Sequence, residues 1–136
     1  MIHLKPLPGT PYYREGSFDE ILQTAVDSEG ALDAAGAQGC LVQTVDRVYG
    51  VEDEADPART AAMSVVVQAI RKRVRADFLV GVQFMRNAVK PSLAVAKVCG
   101  GNFVRVGVFV GALLTECGWV SAQPLANMEI VRQVES

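Results

Sequence analysis

Residues 78–110, FLVGVQFMRNAVKPSLAVAKVCGGNFVRVGVFV, decide the fold. Two near-continuous apolar runs, Phe78–Met85 and Phe103–Val110, flank a helical segment from Pro91 to Val98 that ends at Gly100-Gly101. Apolar runs of this kind are typical of strands that are buried on both faces of a parallel sheet. The stretch therefore predicts a strand, a helix and a second parallel strand joined by a right-handed crossover.

The same alternation precedes this stretch. A short apolar run, Met1–Lys5, predicts a first strand that is stopped by prolines. Ser17 and Glu20 have capping-box spacing, which predicts the start of a first helix, and Gly36 ends it. Its apolar spine has helical spacing and comprises Phe18, Ile21, Leu22, Ala25, Val26 and Leu32.

Two further helices and one strand complete the pattern. Cys40–Val45 predicts the second strand, and Pro57 in the first turn, capped by Asp56, predicts the start of the second helix. That helix carries an apolar stripe of Ala62, Met63, Val66, Ile70 and Val74. After a loop containing glycines, Pro124–Val134 predicts a fourth helix with an apolar spine of Leu125, Met128 and Val131. Four βα units predict an α/β architecture in one domain, residues 1–136.

Composition excludes several classes of protein. The 136 residues are 50% hydrophobic with a net charge of −2, which is typical of a globular domain and argues against a nucleic-acid partner. The one basic cluster, Arg71–Arg75, closes a predicted helix, where cations complement the helix dipole. No signal peptide or membrane-spanning run is present, so we expect a cytoplasmic protein.

Metal and cofactor motifs are also missing from the sequence. Cys40, Cys99 and Cys117 form no C-x-x-C pair and each has the apolar or glycine-rich context of a small buried residue. There is no glycine fingerprint for a dinucleotide or a nucleoside triphosphate. A hard-cation site built from Asp46 and Glu116 would have only two carboxylates, which predicts little. The sequence therefore predicts neither a metal nor a cofactor.

Three strings carry a family resemblance. They are Ile2–Pro11 (IHLKPLPGTP), Gly81–Asn87 (GVQFMRN), and Phe103–Gly107 (FVRVG) followed by Gly111, Thr115-Glu116 and Gly118. They resemble the opening motif, the third-strand motif GVNxLRND and the fourth-strand motif FIRVNxxxG…TDxG of the BtpA/SgcQ family of predicted barrel enzymes. The resemblance implies that the chain is the N-terminal half of a TIM (β/α)₈ barrel, a fold that needs about 250 residues to close.

The resemblance also shapes what we expect of function. It implies an enzyme acting on a small anionic or phosphorylated metabolite, with an unknown reaction. Some relatives are linked to photosystem I accumulation, so the alternative is a non-catalytic assembly factor. A third alternative is an inactive fragment, cut before the second half of the barrel. Open edges at the first and fourth strands would favour a homo-oligomer that covers them.

Several family positions are altered in this chain. Gln83 and Gly107 replace asparagines, Ala88 and Glu116 replace aspartates, and Gln43-Thr44 stands where many members carry Glu-Asn. Carboxylate and carboxamide chemistry of the family therefore does not transfer directly.

In such barrels the functional groups lie at the carboxyl ends of strands and in the loops that follow. This rule predicts two sets of side chains. The predicted catalytic set is His3, Lys5, Asp46 and Glu116. The predicted ligand-binding set is Gln43, Gln83, Arg86, Asn87 and Arg105. A mouth that bears Lys5, Arg86 and Arg105 favours an anionic ligand, because charge-assisted hydrogen bonds are strong.

Plainer interpretations stand beside these roles. His3 could hold a structural hydrogen bond, and Lys5 could form an ion pair with Asp46 or Glu116 in place of binding substrate or forming a Schiff base. Asn87 could simply cap the third helix. Arg105, in what looks like a buried strand, needs either a structural carboxylate or a bound anion, because an unpaired buried charge is costly. The acidic run Glu52–Asp56 reads as a solvated approach to the second helix.

Overall fold

The computed structural model describes residues 1–45 and 52–135, and strand alternates with helix through most of them. The elements in chain order are β1 (Ile2–Leu4), α1 (Phe18–Ala34), β2 (Gly39–Thr44), α2 (Pro57–Arg73), β3 (Leu79–Gln83), α3 (Val89–Cys99), β4 (Phe103–Val104), β5 (Ala112–Thr115), β6 (Gly118–Ser121) and α4 (Pro124–Glu135). The predicted α/β class and the four predicted helices are confirmed.

Four strands form one parallel sheet in the order β1-β2-β3-β4, which is their order along the chain. The register pairs Ile2 with Val42 and Val42 with Val82. Sequential parallel strands with a helix after each of the first three have the arrangement of half a β/α barrel. The described residues form an open sheet in which β1 and β4 have one neighbour each.

The core lies between the sheet and the helices. Val42 and Val82 on the strands, and Met63, Val66 and Ile70 on α2, have 0% of their surface exposed. Burying a side chain of this size contributes roughly 1.5–3 kcal/mol. The stripe predicted on the second helix is therefore confirmed as the face that packs on the sheet, with Val74 partly buried at its end.

The two predicted helix caps have different outcomes. Asp56 caps α2 as predicted, since its Oδ1 accepts hydrogen bonds from the amides of Ala58 (2.8 Å) and Arg59 (3.3 Å). Ser17 precedes α1 but makes no side-chain cap, because its hydroxyl donates to the Arg14 carbonyl at 2.6 Å. The predicted capping box is therefore wrong.

The predicted fourth strand is also wrong in extent. Regular pairing with β3 ends at Val104, and residues 112–121 form an antiparallel hairpin, β5–β6, where a loop was expected. Beyond this end the backbone comes close to the loop that follows β3, since a Cβ at Gly107 would lie 3.0 Å from the Arg86 carbonyl oxygen. The chain leaves the sheet to pack over the loop that follows β3.

Helix α4 packs by a different face from the one predicted. Leu125 and Met128 of the predicted spine are 80% and 47% exposed, whereas Asn127 is the buried residue of the helix.

Cys117 also departs from expectation, since it is exposed while Cys40 and Cys99 are buried. Among the helices of residues 1–45 and 52–135, none has the length and apolarity that a membrane crossing requires.

Candidate functional site

A row of polar side chains crosses the face of the sheet opposite the helices. The register places His3 beside Gln43 and Gln43 beside Gln83. Arg105 directly follows Val104, the last paired residue of β4, and its amide donates to the Val82 carbonyl at 3.3 Å. The next row on this face, two residues toward the amino ends, is apolar, and Phe103 packs so closely on Gly81 that the ring leaves no room for a Cβ there. Polar groups therefore begin where the strands approach their carboxyl ends.

A cleft of about 530 Å³, counted to its open side, lies over this row. We call it the mouth cleft. It is lined by all five side chains of the predicted ligand-binding set, which are Gln43, Gln83, Arg86, Asn87 and Arg105. The hairpin covers it with Leu113, Thr115 and Val120, which lie on one face of β5–β6. The structure therefore brings the five together, while their roles stay predictions.

The loop after β3 holds Arg86 and Asn87 in place. The amide of Met85 donates to the Thr44 hydroxyl at 2.9 Å, and the amide of Phe84 donates to the Ser92 hydroxyl at 3.0 Å. Arg59, buried on α2, donates to the Met85 carbonyl at 3.2 Å and stacks 5.3 Å from the centre of the Phe84 ring. Three neighbouring elements therefore fix the direction in which the loop leaves the sheet.

Asn87 is not the cap of α3, since Ala88 occupies that position. Its side chain pairs instead with the backbone of Val108, donating from Nδ2 to the carbonyl at 3.0 Å and accepting at Oδ1 from the amide at 2.9 Å. This paired geometry satisfies both peptide groups of a residue that has left the sheet. Asn87 thereby anchors the segment that leads into the hairpin.

Arg105 differs most from its sequence-based interpretation. It lies just beyond the two-residue strand β4 and is exposed, so the burial cost that was expected to demand a partner does not apply. Within residues 1–45 and 52–135, its guanidinium has neither an ion pair nor a hydrogen bond. A positive charge at the wall of the cleft is therefore available to a ligand.

Two buried carboxamides face the cleft without partners for their oxygens. Gln43 and Gln83 are 8% and 2% exposed, and in the described part of the chain their Oε1 atoms accept no hydrogen bond. Leaving such a buried group unpaired costs about 1–3 kcal/mol. A ligand that donates hydrogen bonds, such as a hydroxyl compound, would recover that energy.

Arg86 and Glu116 form an ion pair across the entrance. Glu116 lies at the tip of the hairpin, is largely exposed and pairs with the Arg86 guanidinium. Hydrogen bonds from its own backbone amide and from Arg86 hold the pKa of Glu116 below its usual value. Glu116 is therefore an anion at neutral pH that partly neutralises Arg86, which leaves Arg105 as the stronger attractor of anions.

The three described members of the predicted catalytic set, His3, Lys5 and Glu116, are not brought together. Lys5 pairs with Glu20 at 2.7 Å, where Arg14 is a second partner, and not with Glu116. His3 lies at the β1 edge, exposed, with Nε2 2.8 Å from the Met1 sulfur and outside the lining of the mouth cleft. Asp46 lies outside the described residues. A proton-transfer role for His3 or Lys5 therefore has no support from their surroundings.

Sequence reasoning missed two residues that support the site. The sequence marks Thr44 only as a departure from the family motif and predicts no role for Arg59, yet both hold the loop after β3. Arg59 had one available signal, since it is a charged residue at the start of a helix whose stripe is otherwise apolar. Its target, a backbone carbonyl 26 residues away, has no sequence signature.

Comparison with known proteins gives a consistent family. The BtpA family model matches residues 1–136. An uncharacterised protein of Pyrococcus furiosus is 33% identical over 134 residues, covering 95% of this chain and 48% of its own length. An uncharacterised protein of Methanocaldococcus jannaschii is 31% identical over 124 residues, covering 90% of this chain and 46% of its own.

A third relative has a named role. The photosystem I biogenesis protein BtpA of Synechocystis is 28% identical over 136 residues, covering 100% of this chain and 46% of its own length. The chain thus spans about half the length of the curated relatives it matches. No solved structure matches it. Since the family model matches the whole of residues 1–136, the chain belongs to the BtpA family.

Proposed function

We propose that the mouth cleft binds a small hydroxylated anion, a phosphorylated or carboxylated metabolite, and that the chain is the N-terminal part of a barrel enzyme acting on it. The observation that carries this proposal is that one cleft is lined by Arg105, Gln43 and Gln83, and that within residues 1–45 and 52–135 neither the guanidinium nor the two buried carboxamide oxygens have a partner. The guanidinium supplies charge-assisted hydrogen bonds to an anionic group, and the carboxamides accept from hydroxyls.

The other walls of the cleft fit a ligand of this kind. Arg86 adds a second guanidinium whose charge is partly offset by Glu116, and Leu113 and Val120 supply an apolar cover. A small cleft with an apolar cover and a few convergent polar groups is the usual form of a metabolite site. The reaction itself is not part of the proposal, because His3 and Lys5 lie at the β1 edge, apart from Glu116.

A matched set of probes tests this proposal on the chain. Glycerol 3-phosphate should raise the melting temperature, whereas glycerol should not. At a hundredfold excess over its dissociation constant a ligand adds about 2.7 kcal/mol to the free energy of unfolding. Arg105→Ala should abolish the shift, and Arg132→Ala, which removes an exposed arginine of α4, should keep it. Equal shifts in both variants would overturn the proposal.

A second set of variants tests the carboxamides. Gln83→Leu removes a buried acceptor without adding a charge, so it should weaken glycerol 3-phosphate binding while leaving propyl phosphate binding unchanged. Loss of affinity for both probes to the same degree would mean that the carboxamide does not contact the ligand hydroxyls.

An assembly role is the second candidate, and one observation favours it. The outer face of the hairpin exposes the cross-strand pair Leu114 and Trp119, each 64% exposed, and Val110 and Leu125 nearby in sequence are 78% and 80% exposed. Exposed apolar side chains that form one contiguous patch are typical of surfaces that bind another protein, and the Leu114–Trp119 pair is the nucleus of such a patch. The photosystem I role of the Synechocystis relative gives this candidate its context.

Complementation separates the two candidates. In a Synechocystis strain without its own relative, the chain would be expressed unaltered, as Arg105→Ala and as Leu114→Ser/Leu125→Ser. Assembly by the apolar surface predicts that photosystem I accumulates with the first two and not with the third. Failure of the unaltered chain would overturn the assembly candidate.

Light scattering tests the predicted homo-oligomer separately, and a stable monomer would contradict that prediction.

A further inference from the structure

A second cleft, also of about 530 Å³ to its open side, lies on the other side of the hairpin. Trp119 and Ser121, on the face of β6 opposite Val120, form one wall. Glu52 and Asp53, ahead of α2, and Asn127, on α4, form the others. We call it the acidic cleft. The sequence predicts no site here, since the expectation for Glu52–Asp56 is a solvated approach to α2.

The described residues that line the acidic cleft are negatively charged or neutral. They include the carboxylates of Glu52 and Asp53 and no lysine or arginine. Asp53 is fixed, because its Oδ1 accepts from the amide of Lys90 at 2.8 Å, which leaves its second oxygen for another partner. Two carboxylates without a cation at the same wall attract a positively charged ligand.

Asn127 supplies an independent sign of a ligand. It is 3% exposed, lines the acidic cleft, and its Oδ1 accepts no hydrogen bond within residues 1–45 and 52–135. A buried carbonyl oxygen in this state costs about 1–3 kcal/mol unless something in the cleft satisfies it. Oxygen ligation of a cation would do so.

We propose that the acidic cleft binds a hard divalent cation, with Glu52, Asp53 and Asn127 as its oxygen ligands. Among the described residues no three Asp, Glu, His or Cys side chains are grouped to hold a metal, so the site lacks the ligands of a structural zinc. Two carboxylates, one amide oxygen and several waters match the way proteins hold Mg²⁺.

The position of the site links it to the mouth cleft. Asn87 lines both clefts, so the cation would lie across one side chain from the anion site. Mg²⁺ is commonly completed by the phosphate of a substrate. This coupling rests on the proposed function, whereas the cation site itself does not.

Terbium luminescence tests the cation site without any substrate. Trp119 is the only tryptophan of the chain, so Tb³⁺ bound in the acidic cleft should emit when tryptophan is excited, and Mg²⁺ should displace it. Asn127→Leu removes the amide oxygen and should lower Tb³⁺ and Mg²⁺ affinity at least about tenfold, since even indirect metal partners cost that much. Asn127→Asp should raise both affinities.

Two controls keep the test decisive. Glu52→Gln should weaken binding, whereas Glu54→Gln, the same change two residues away and outside the lining, should not. Calorimetric titration with Mg²⁺ repeats each comparison without terbium. No sensitised emission, or equal affinity in the unaltered chain, Asn127→Leu and Glu52→Gln, would overturn the proposal. Emission that Mg²⁺ displaces but glycerol 3-phosphate leaves unchanged would support the cation site and contradict only its coupling to the mouth cleft.

Discussion

Removing the Asn87 side chain should destabilise the protein by disconnecting the hairpin from the sheet. Asn87→Ala deletes two hydrogen bonds to Val108, of 3.0 and 2.9 Å, made by a residue that is 7% exposed. Each bond is worth about 1 kcal/mol net, so the free energy of unfolding should fall by about 2 kcal/mol. The fall should approach 3 kcal/mol if the peptide groups of Val108 stay buried without partners.

A matched asparagine separates hydrogen bonding from loss of volume. Asn127→Ala deletes the same atoms at similar burial, 3% exposed, but from a side chain whose Oδ1 has no partner in the described residues. In the absence of divalent cations this variant loses packing, breaks no hydrogen bond of Oδ1 and removes a buried oxygen that has no partner in the described residues. Asn87→Ala should therefore be at least about 2 kcal/mol less stable than Asn127→Ala in urea unfolding.

Amide hydrogen exchange locates the effect. The Val108 amide donates to Asn87 Oδ1, so its exchange should accelerate in Asn87→Ala, whereas the Val82 amide, in the middle of β3, should be protected as before. Equal destabilisation by the two asparagine variants, together with unchanged exchange at Val108, would refute the reasoning that Asn87 anchors the hairpin.

Other substitutions probe the helices, one buried acid and the cysteines. Asp56→Ala should cost about 1 kcal/mol in urea unfolding because it removes the α2 cap. Burial raises the pKa of Glu29 above its ordinary value of 4.5. The free energy of unfolding therefore falls as the pH rises from 4.5 to the pKa of Glu29 in the folded protein. Glu29→Gln should then raise the melting temperature at pH 7 and leave it unchanged below pH 4, with exposed Glu15→Gln flat at both. Cys117 should react with a thiol reagent in the folded protein, whereas Cys40, whose pKa is raised by burial to about 11, should react only on unfolding.

The alternation of strands and helices could be predicted because its signals are local. Each strand is a short apolar run, and the buried stripe of α2 recurs at helical spacing from Ala62 to Ile70. The Asp56 cap also acts within its own turn. These interactions connect residues a few positions apart, so the sequence records them directly.

The capping box failed because a distant charge competes for one of its members. Glu20 has the correct spacing from Ser17, but its carboxylate pairs with Lys5 and Arg14, and this holds the pKa of Glu20 below its usual value. Lys5 lies 15 residues away in the sequence, at the end of β1. A tertiary ion pair of this kind leaves no local pattern.

The candidate site could be predicted only as far as a barrel places it. Side chains at the carboxyl ends of β2 and β3 converge wherever these strands are parallel and in register, which is why Gln43 and Gln83 share a cleft. The rule does not say which ends the hairpin covers, so it placed His3 and Lys5 in the same site although both lie at the β1 edge. The acidic cleft was not predicted because it depends on the β5–β6 hairpin, which lies where the sequence predicts a loop.

The hairpin makes the dimensions of the two clefts interdependent. Trp119 and Val120 are adjacent on β6, and Trp119 faces the acidic cleft whereas Val120 faces the mouth cleft. Successive side chains of a strand point to opposite faces, so the two clefts lie on the two sides of the hairpin. A shift of the hairpin toward one cleft therefore widens the other. Asn87 resists that shift from the sheet side through Val108, and Arg86 resists it at the tip through Glu116. Ligand affinity at either cleft should consequently depend on contacts that touch neither ligand, and loosening the hairpin should weaken both sites together.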